Sequence, residues 1–292
     1  MHNKPHRDTL IVEEAYILEH QTFPGDQYVM RVQAPELATR AQPGQFAHIT
    51  VDPQCAMRRP ISIMRASASA GWLDFLYKAV GEGTRLLAQR QVGESLSLLG
   101  PIGQPFQIRE PRPVLIGGGV GMPPMIFLAE RLRHRRDLYP LVILGSEVPF
   151  PFSPKPSQIM LPGVPDAVIG AIPLLEDWGI ASRLASLQGY PGCFNGYVTD
   201  LTRHWLDALS PEQRAEVGLY ACGPEPMLQA VVRLAEAYEL PVQVSLEEYM
   251  ACATGGCAGC AVPIHSADGI KMQRVCVDGP VFDGYTVYPV KE

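Results

Sequence analysis

The chain has 292 residues and a mass of 32.0 kDa, more than one average domain, so a single small module is excluded and two or three compact units are expected. Hydrophobic residues make up 47% and charged residues 18%, too apolar for a disordered chain. With 24 Lys+Arg against 30 Asp+Glu the net charge is -6 and no basic stripe stands out, which argues against nucleic acid as a partner. The start, MHNKPHRDTL, lacks a secretory apolar core, and no apolar run reaches the roughly 18 residues that span a bilayer, so a cytoplasmic protein without a membrane contact is expected.

From 11 to about 108 the apolar pattern alternates over short runs broken by turns, at 28–33, 45–51, 60–64, 72–77 and 95–99. About six short strands of this kind predict an antiparallel barrel. Arg58-Arg59-Pro60-Ile61-Ser62 opens one of them, and Gly81-Glu82-Gly83-Thr84-Arg85 falls between a strand and a short helix. Arginine offers a charged fork to a phosphate, and a Gly-x-Gly-Thr turn at a helix start aims free N–H groups at an anion. Taken alone, each is also what an ordinary turn contains.

After Pro111-Arg112-Pro113 come a short buried strand at 114–116, the run Gly117-Gly118-Gly119-Val120-Gly121, and a helix at 123–136. Strand, glycine turn and helix open a doubly wound α/β sheet, where a dinucleotide pyrophosphate can approach a helix N-terminus. A plain tight turn is the alternative, because the run is not a G-x-G-x-x-G match. Further strands are expected at 141–144, 167–171 and 218–221, and helices at 199–208 and 225–238. Cys222-Gly223-Pro224 ends a strand and begins a helix, the carboxyl edge at which open α/β sheets bind ligands. That location puts Cys222 near the reactive ring of a cofactor; a buried structural thiol is the alternative. Glu147 is the only ionisable side chain in 141–152, and the proline-rich 149–156 reads as a stiff loop.

Seven cysteines argue against a chain-wide disulfide framework, since Cys55, Cys193 and Cys222 are scattered while four crowd the end. Cys252, Cys257, Cys260 and Cys276 follow C-x4-C-x2-C…C, the plant-type 2Fe-2S spacing. Gly255, Gly256 and Gly259, with Ala251, Ala253 and Ala258, let the backbone wrap closely enough for N–H groups to reach sulfur. A zinc site also uses four thiolates, but zinc ribbons favour two C-x2-C pairs. The expected organisation is a barrel domain at 1–110, an α/β doubly wound domain at 111–240 and a small 2Fe-2S domain at 241–292.

These motifs occur in one order with Pro43-Gly44-Gln45-Phe46, Leu99-Gly100-Pro101-Ile102-Gly103, Gly196-Tyr197-Val198-Thr199-Asp200 and the stretch 275–282. In that order the chain resembles the ferredoxin-reductase-like flavoproteins, and among them the iron–sulfur electron-transfer subunits of NAD-dependent dihydroorotate dehydrogenase. The resemblance implies that Arg59, Pro60, Ile61 and Ser62 hold the flavin end and phosphates of FAD, with Gly81, Gly83 and Thr84 at its pyrophosphate. It implies that Gly117, Gly118, Gly119 and Gly121, with Cys222, Gly223 and Pro224, frame the nicotinamide of NAD(H). It further implies a hetero-oligomer in which electrons pass between NAD(H), FAD, the 2Fe-2S cluster and an FMN-containing catalytic subunit of pyrimidine biosynthesis. A reductase subunit of another, ferredoxin-type complex and a non-redox, zinc-bound interaction subunit are the alternatives. One departure is a stretch of sixteen residues between Gly179 and Gly196, longer than the family pattern. The tail 279–290 is expected either to contact a partner or to pack on its own domain as a terminal hairpin.

Overall fold

The computed structural model describes residues 10–52 and 55–289. Strands β1 (Ile11–Phe23), β2 (Gln27–Gln33), β3 (Phe46–Ile49), β4 (Arg59–Ser67), β5 (Trp72–Lys78) and β6 (Ser95–Ile102) close a six-stranded antiparallel barrel in the order β1-β2-β5-β4-β3-β6. The two-residue alternation read from the sequence sends Val32, Ile49, Ile63, Phe75 and Leu98 inward. Helices α1 (Pro35–Arg40) and α2 (Glu82–Ala88) add Leu37 and Leu87 to that interior. Outward-facing Met64 and Leu76 instead join the core of the second unit.

That unit comprises β7 (Arg112–Gly118), α3 (Met122–Leu132), β8 (Leu141–Gly145), β9 (Lys155–Pro156), β10 (Gly170–Ala171), α4 (Pro173–Asp177), β11 (Ala181–Ser186), β12 (Phe194–Asn195), α5 (Val198–Asp207), α6 (Pro211–Arg214), β13 (Val217–Cys222), α7 (Glu225–Ala237) and β14 (Val242–Ser245). The cysteine segment adds a hairpin of β15 (Ala261–Ser266) and β16 (Gly269–Arg274), followed by β17 (Val281–Asp283) and α8 (Gly284–Val287). A seven-stranded sheet runs β12-β11-β8-β7-β13-β14-β17, parallel up to β14, with β17 antiparallel at one edge. Leu201, Trp205, Leu228 and Val231 cover one face and Met125, Leu128 and Leu132 the other, the doubly wound arrangement.

Three sequence expectations change. The stretch 167–171 is not a strand of the main sheet: only Gly170 and Ala171 are extended, and they pair with Pro156 and Lys155. The strand beside β8 is β11, overlooked because Ser182, Arg183 and Ser186 interrupt its apolar run, yet all three are buried. Arg183 is accommodated by donating to the carbonyls of Ser182 (2.7 Å) and Ile159 (2.9 Å). The helix expected at 123–136 stops at Leu132, its last apolar position, beyond which Arg135 turns to pair with Asp137. The tail packs on its own domain as expected, but not as a hairpin: β17 hydrogen-bonds β14, with Val281 and Phe282 buried. That edge is therefore spent on the protein's own sheet.

The units are fastened at named points. Arg65 forks onto Glu130 of α3 at 2.7 Å, with the rings of Trp72 and Trp178 each 5.2 Å from its guanidinium. Gln27 of β2 donates to the carbonyl of Pro149 at 2.7 Å, anchoring the proline-rich loop to the barrel. The N–H of Gln104, just past β6, donates to the carbonyl of Gly279 at 2.6 Å, which ties the end of the cysteine segment to the barrel.

Candidate functional site: the cavity between barrel and cysteine loop

Arg59 stands at the first position of β4, and its guanidinium donates to the carbonyl of Met57 at 2.6 Å. Gly81 caps α2, where its N–H donates to Thr84 Oγ1 at 3.1 Å. The two motifs, separate in sequence, meet in space. A β-carbon built on Gly83 would lie 2.3 Å from Arg59 Nε, so only glycine lets the guanidinium rest against the start of the helix.

A cavity of about 1340 Å³ opens beside this junction. One wall carries Arg59, Pro60, Ile61, Ser62, Gly81 and Thr84; the other carries Ser245, Glu247, Tyr249, Met250, Ala251 and Gly259. The first wall is the set expected to hold FAD, except that Gly83 is buried beneath Arg59. The second wall is the loop that leads into the cysteines. Glu247 reaches solvent through the cavity but is surrounded by protein, and burial pushes its carboxyl up. Tyr249 is 95% exposed at the rim. The sequence reading does not single out Glu247, Tyr249 or Met250, and the available signal was their position immediately before Cys252.

The glycine run and Cys222 form a second junction behind that wall. Cys222 pairs in register with Gly117 across β13 and β7, and a β-carbon on Gly121 would come within 2.3 Å of the Cys222 carbonyl oxygen. A β-carbon on Gly118 would strike Met227 at 2.5 Å, and Gly223 and Pro224 lead into the helix that carries it. Val120 is the member of the run that lines the cavity. The Cys222 thiol is fully buried, and burial first, then the charge of Glu247, pushes it well up, with a hydrogen bond involving Ser245 acting the other way. It is a neutral thiol one layer behind the cavity.

The four cysteines of the C-x4-C-x2-C…C pattern form two pairs. Cys260 and Cys276, both buried, bring their sulfurs to 3.4 Å. The Cys257 N–H points at the Cys252 sulfur at 3.4 Å, and the Gly259 N–H at the Cys257 sulfur at 3.4 Å. Burial, with Cys260 beside it, raises the Cys276 thiol to about 12. Burial works the same way on Cys252, but hydrogen bonds from Thr254 and Cys257 outweigh it and bring that thiol down to about 6. Among the described residues no three His, Cys, Asp or Glu side chains close around one ion. Two pairs of thiols wrapped in N–H donors fit a cluster of two irons, which shares four thiolates between two metals.

Comparison with known proteins agrees with this geometry. Residues 247–288 match the family described as the iron–sulfur cluster binding domain of dihydroorotate dehydrogenase B. Over 282 residues the chain is 32% identical to the dihydroorotate dehydrogenase B (NAD(+)), electron transfer subunit, of Desulforamulus reducens, covering 94% of this chain and 98% of that one. The chain belongs to the dihydroorotate dehydrogenase B electron transfer subunit family. The Geobacillus kaustophilus member is 35% identical over 252 residues, covering 82% of this chain and 84% of its own. Among solved structures, the NADH-dependent reduced ferredoxin-NADP oxidoreductase superposes with a TM-score of 0.74 at 23% identity, over 94% of this chain and 89% of that one. The ferredoxin reductase of carbazole 1,9a-dioxygenase superposes with a TM-score of 0.61 at 20% identity, over 80% and 69%. At these identities the likeness is one of fold, the barrel followed by the α/β sheet. Membership in the electron transfer subunit family rests on the sequence relatives and on the matched cluster domain.

Proposed function

We propose that this chain carries electrons between NAD(H) and the catalytic subunit of a dihydroorotate dehydrogenase, through FAD and a 2Fe-2S cluster, in pyrimidine biosynthesis. The observation that carries the reading is the shared cavity. The same space touches Arg59, Ser62 and Thr84 on the barrel and Met250, Ala251 and Gly259 of the cysteine loop, so a flavin seated there lies against the cluster loop. When bound, FAD accepts a hydride and the cluster accepts single electrons, the two-to-one conversion that this chemistry requires.

The chain's own residues do the rest. Arg59 and the N–H groups of 82–84 offer the positive, donor-rich surface that a pyrophosphate needs. Gly117, Gly118 and Gly121 let the turn pack closely on Leu144, Met227 and Cys222, and Gly119 and Val120 stay open at the carboxyl edge beside Cys222, Gly223 and Pro224, where a nicotinamide would approach. Cys252, Cys257, Cys260 and Cys276 supply the thiolates. Gln104 holds the end of the cysteine segment on the barrel, and that contact fixes the spacing over which electrons travel.

In this reading the flavin unit is 1–110 and the nucleotide unit 111–240. The cluster unit, 241–292, is seated on the nucleotide unit's sheet through β14 and β17. No helix among the described residues is long and apolar enough to cross a membrane, and a cytoplasmic location follows from the proposed pathway. The partner is the FMN-containing catalytic subunit. The test is to purify the chain with and without that subunit. The chain alone is expected to pass electrons from NADH to an artificial dye without oxidising dihydroorotate, and adding the catalytic subunit is expected to couple the two reactions. Dihydroorotate oxidation by the single chain would overturn the subunit reading.

A further inference from the structure

The cysteine set comes from two segments: Cys252, Cys257 and Cys260 from one loop, Cys276 from the turn after β16. Arg274 spans them. Its Nη1 donates to the carbonyl of Gly255, between Cys252 and Cys257, at 2.9 Å. Its own N–H donates to Asp278 at 2.9 Å and its Nε faces the same carboxylate oxygen at 3.5 Å. Its carbonyl accepts from Val277 at 3.0 Å and from Asp278 at 2.8 Å, closing the turn around Cys276. The guanidinium therefore ties the loop of Cys252 and Cys257, whose sulfurs face the N–H groups of Cys257 and Gly259 at 3.4 Å, to the turn that carries Cys276.

We infer that Arg274 is a positioning residue that clamps the two cysteine segments together and, through its own charge, raises the reduction potential of the cluster. This inference rests on the proposed cluster. Reduction adds negative charge, and a nearby cation and N–H···S bonds stabilise the reduced form more than the oxidised form. Nothing in the spacing of the cysteines discloses this side chain, which lies two residues before the last of them.

The test uses the full chain loaded with flavin and cluster, in wild-type, Arg274→Gln and Arg274→Lys forms, with potentiometric titration followed by spin resonance and timed iron release to a ferrous chelator. Arg274→Gln is expected to shift the one-electron equilibrium about tenfold toward the oxidised cluster, ~59 mV for a one-electron couple, and to release iron about tenfold faster. Arg274→Lys is expected to keep a midpoint near wild type while releasing iron faster, because an ammonium keeps the charge but lacks the fork that spans Gly255 and Asp278. A loaded Arg274→Gln protein with wild-type midpoint and iron release would overturn the inference. If that variant loads poorly, wild-type iron release from Arg274→Lys overturns the clamp by itself. A wild-type chain that takes up no cluster defeats the functional reading beneath it, whereas a loaded wild type indifferent to Arg274→Gln defeats this inference alone.

Discussion

Arg59 and Gly83 occupy adjoining space: a β-carbon on Gly83 would sit 2.3 Å from Nε, 2.5 Å from Cζ and 2.6 Å from Nη2 of the guanidinium. Two short motifs that are individually commonplace thus share one surface, the one proposed to hold the FAD phosphates. Gly83→Ala should push Arg59 aside and raise the dissociation constant for FAD about 10- to 100-fold, or roughly 1.4–2.8 kcal/mol. Flavin fluorescence titration measures it, with iron content as the check that the cluster segment is intact. Unchanged FAD affinity in Gly83→Ala would remove Arg59 from the proposed flavin site.

The cysteine loop carries Ala253 and Ala258 in the left-handed region, with φ of 54° and 55°. A β-carbon there costs on the order of 1 kcal/mol per residue. Ala258→Gly is therefore expected to stabilise the loop by roughly 0.5–1 kcal/mol, seen as a higher thermal midpoint of the loaded protein, and Ala258→Val to lower it. A glycine variant less stable than wild type would show that the loop relaxes elsewhere.

His48 on β3 is 1% exposed, and neither ring nitrogen has a hydrogen-bond partner among the described residues. Burial, reinforced by the charges of Arg58 and Arg59 and opposed by the backbone of Arg58, lowers its pKa to about 4. The folded state keeps His48 neutral, so its contribution to stability is complete above the unfolded value of about 6.5 and is lost as pH falls toward 4. The loss is on the order of 3 kcal/mol at most. Chemical denaturation at pH 7.5 and pH 5 should show wild type losing more stability than His48→Leu over that interval. Equal losses would mean that His48 finds a partner on protonation.

Glu147 follows β8 directly and is exposed, with its neighbour Ser146 fixed by Ser186 Oγ, which donates to the Ser146 carbonyl at 2.7 Å. A carboxylate there accepts from a ribose hydroxyl and repels a 2′-phosphate, so flavin reduction should show a lower Michaelis constant for NADH than for NADPH. Glu147→Ser should narrow the difference. A lower constant for NADPH in the wild type contradicts the assignment.

The barrel and most of the parallel sheet were legible because their strands keep strict alternation or continuous apolar runs, as at β2, β5, β7 and β13. β11 was not, because its buried polar side chains find their partners only in the folded chain: Arg183 donates to the carbonyls of Ser182 and Ile159, Ser186 donates to that of Ser146, and Ser182 accepts from the N–H of Ile172. The C-x4-C-x2-C…C pattern stands in the sequence, whereas the proposed roles of Arg59, Gly81 and Thr84 come from the resemblance and the order of the motifs, not from spacing. Glu247, Tyr249 and Arg274 were not legible, since their roles arise from a loop folding back across the barrel or from a side chain bridging two segments. Nor could spacing reveal that β17 returns to the sheet edge, which depends on a pairing with β14 from before the cysteine segment.

The central claim is best tested by an anaerobic NADH titration of the purified single chain, with absorbance and spin resonance recorded together. The account expects flavin bleaching, followed by a reduced 2Fe-2S signal stoichiometric with the chain. A colourless, zinc-containing protein, or a flavin that is reduced while the cluster stays oxidised at every NADH concentration, would contradict it.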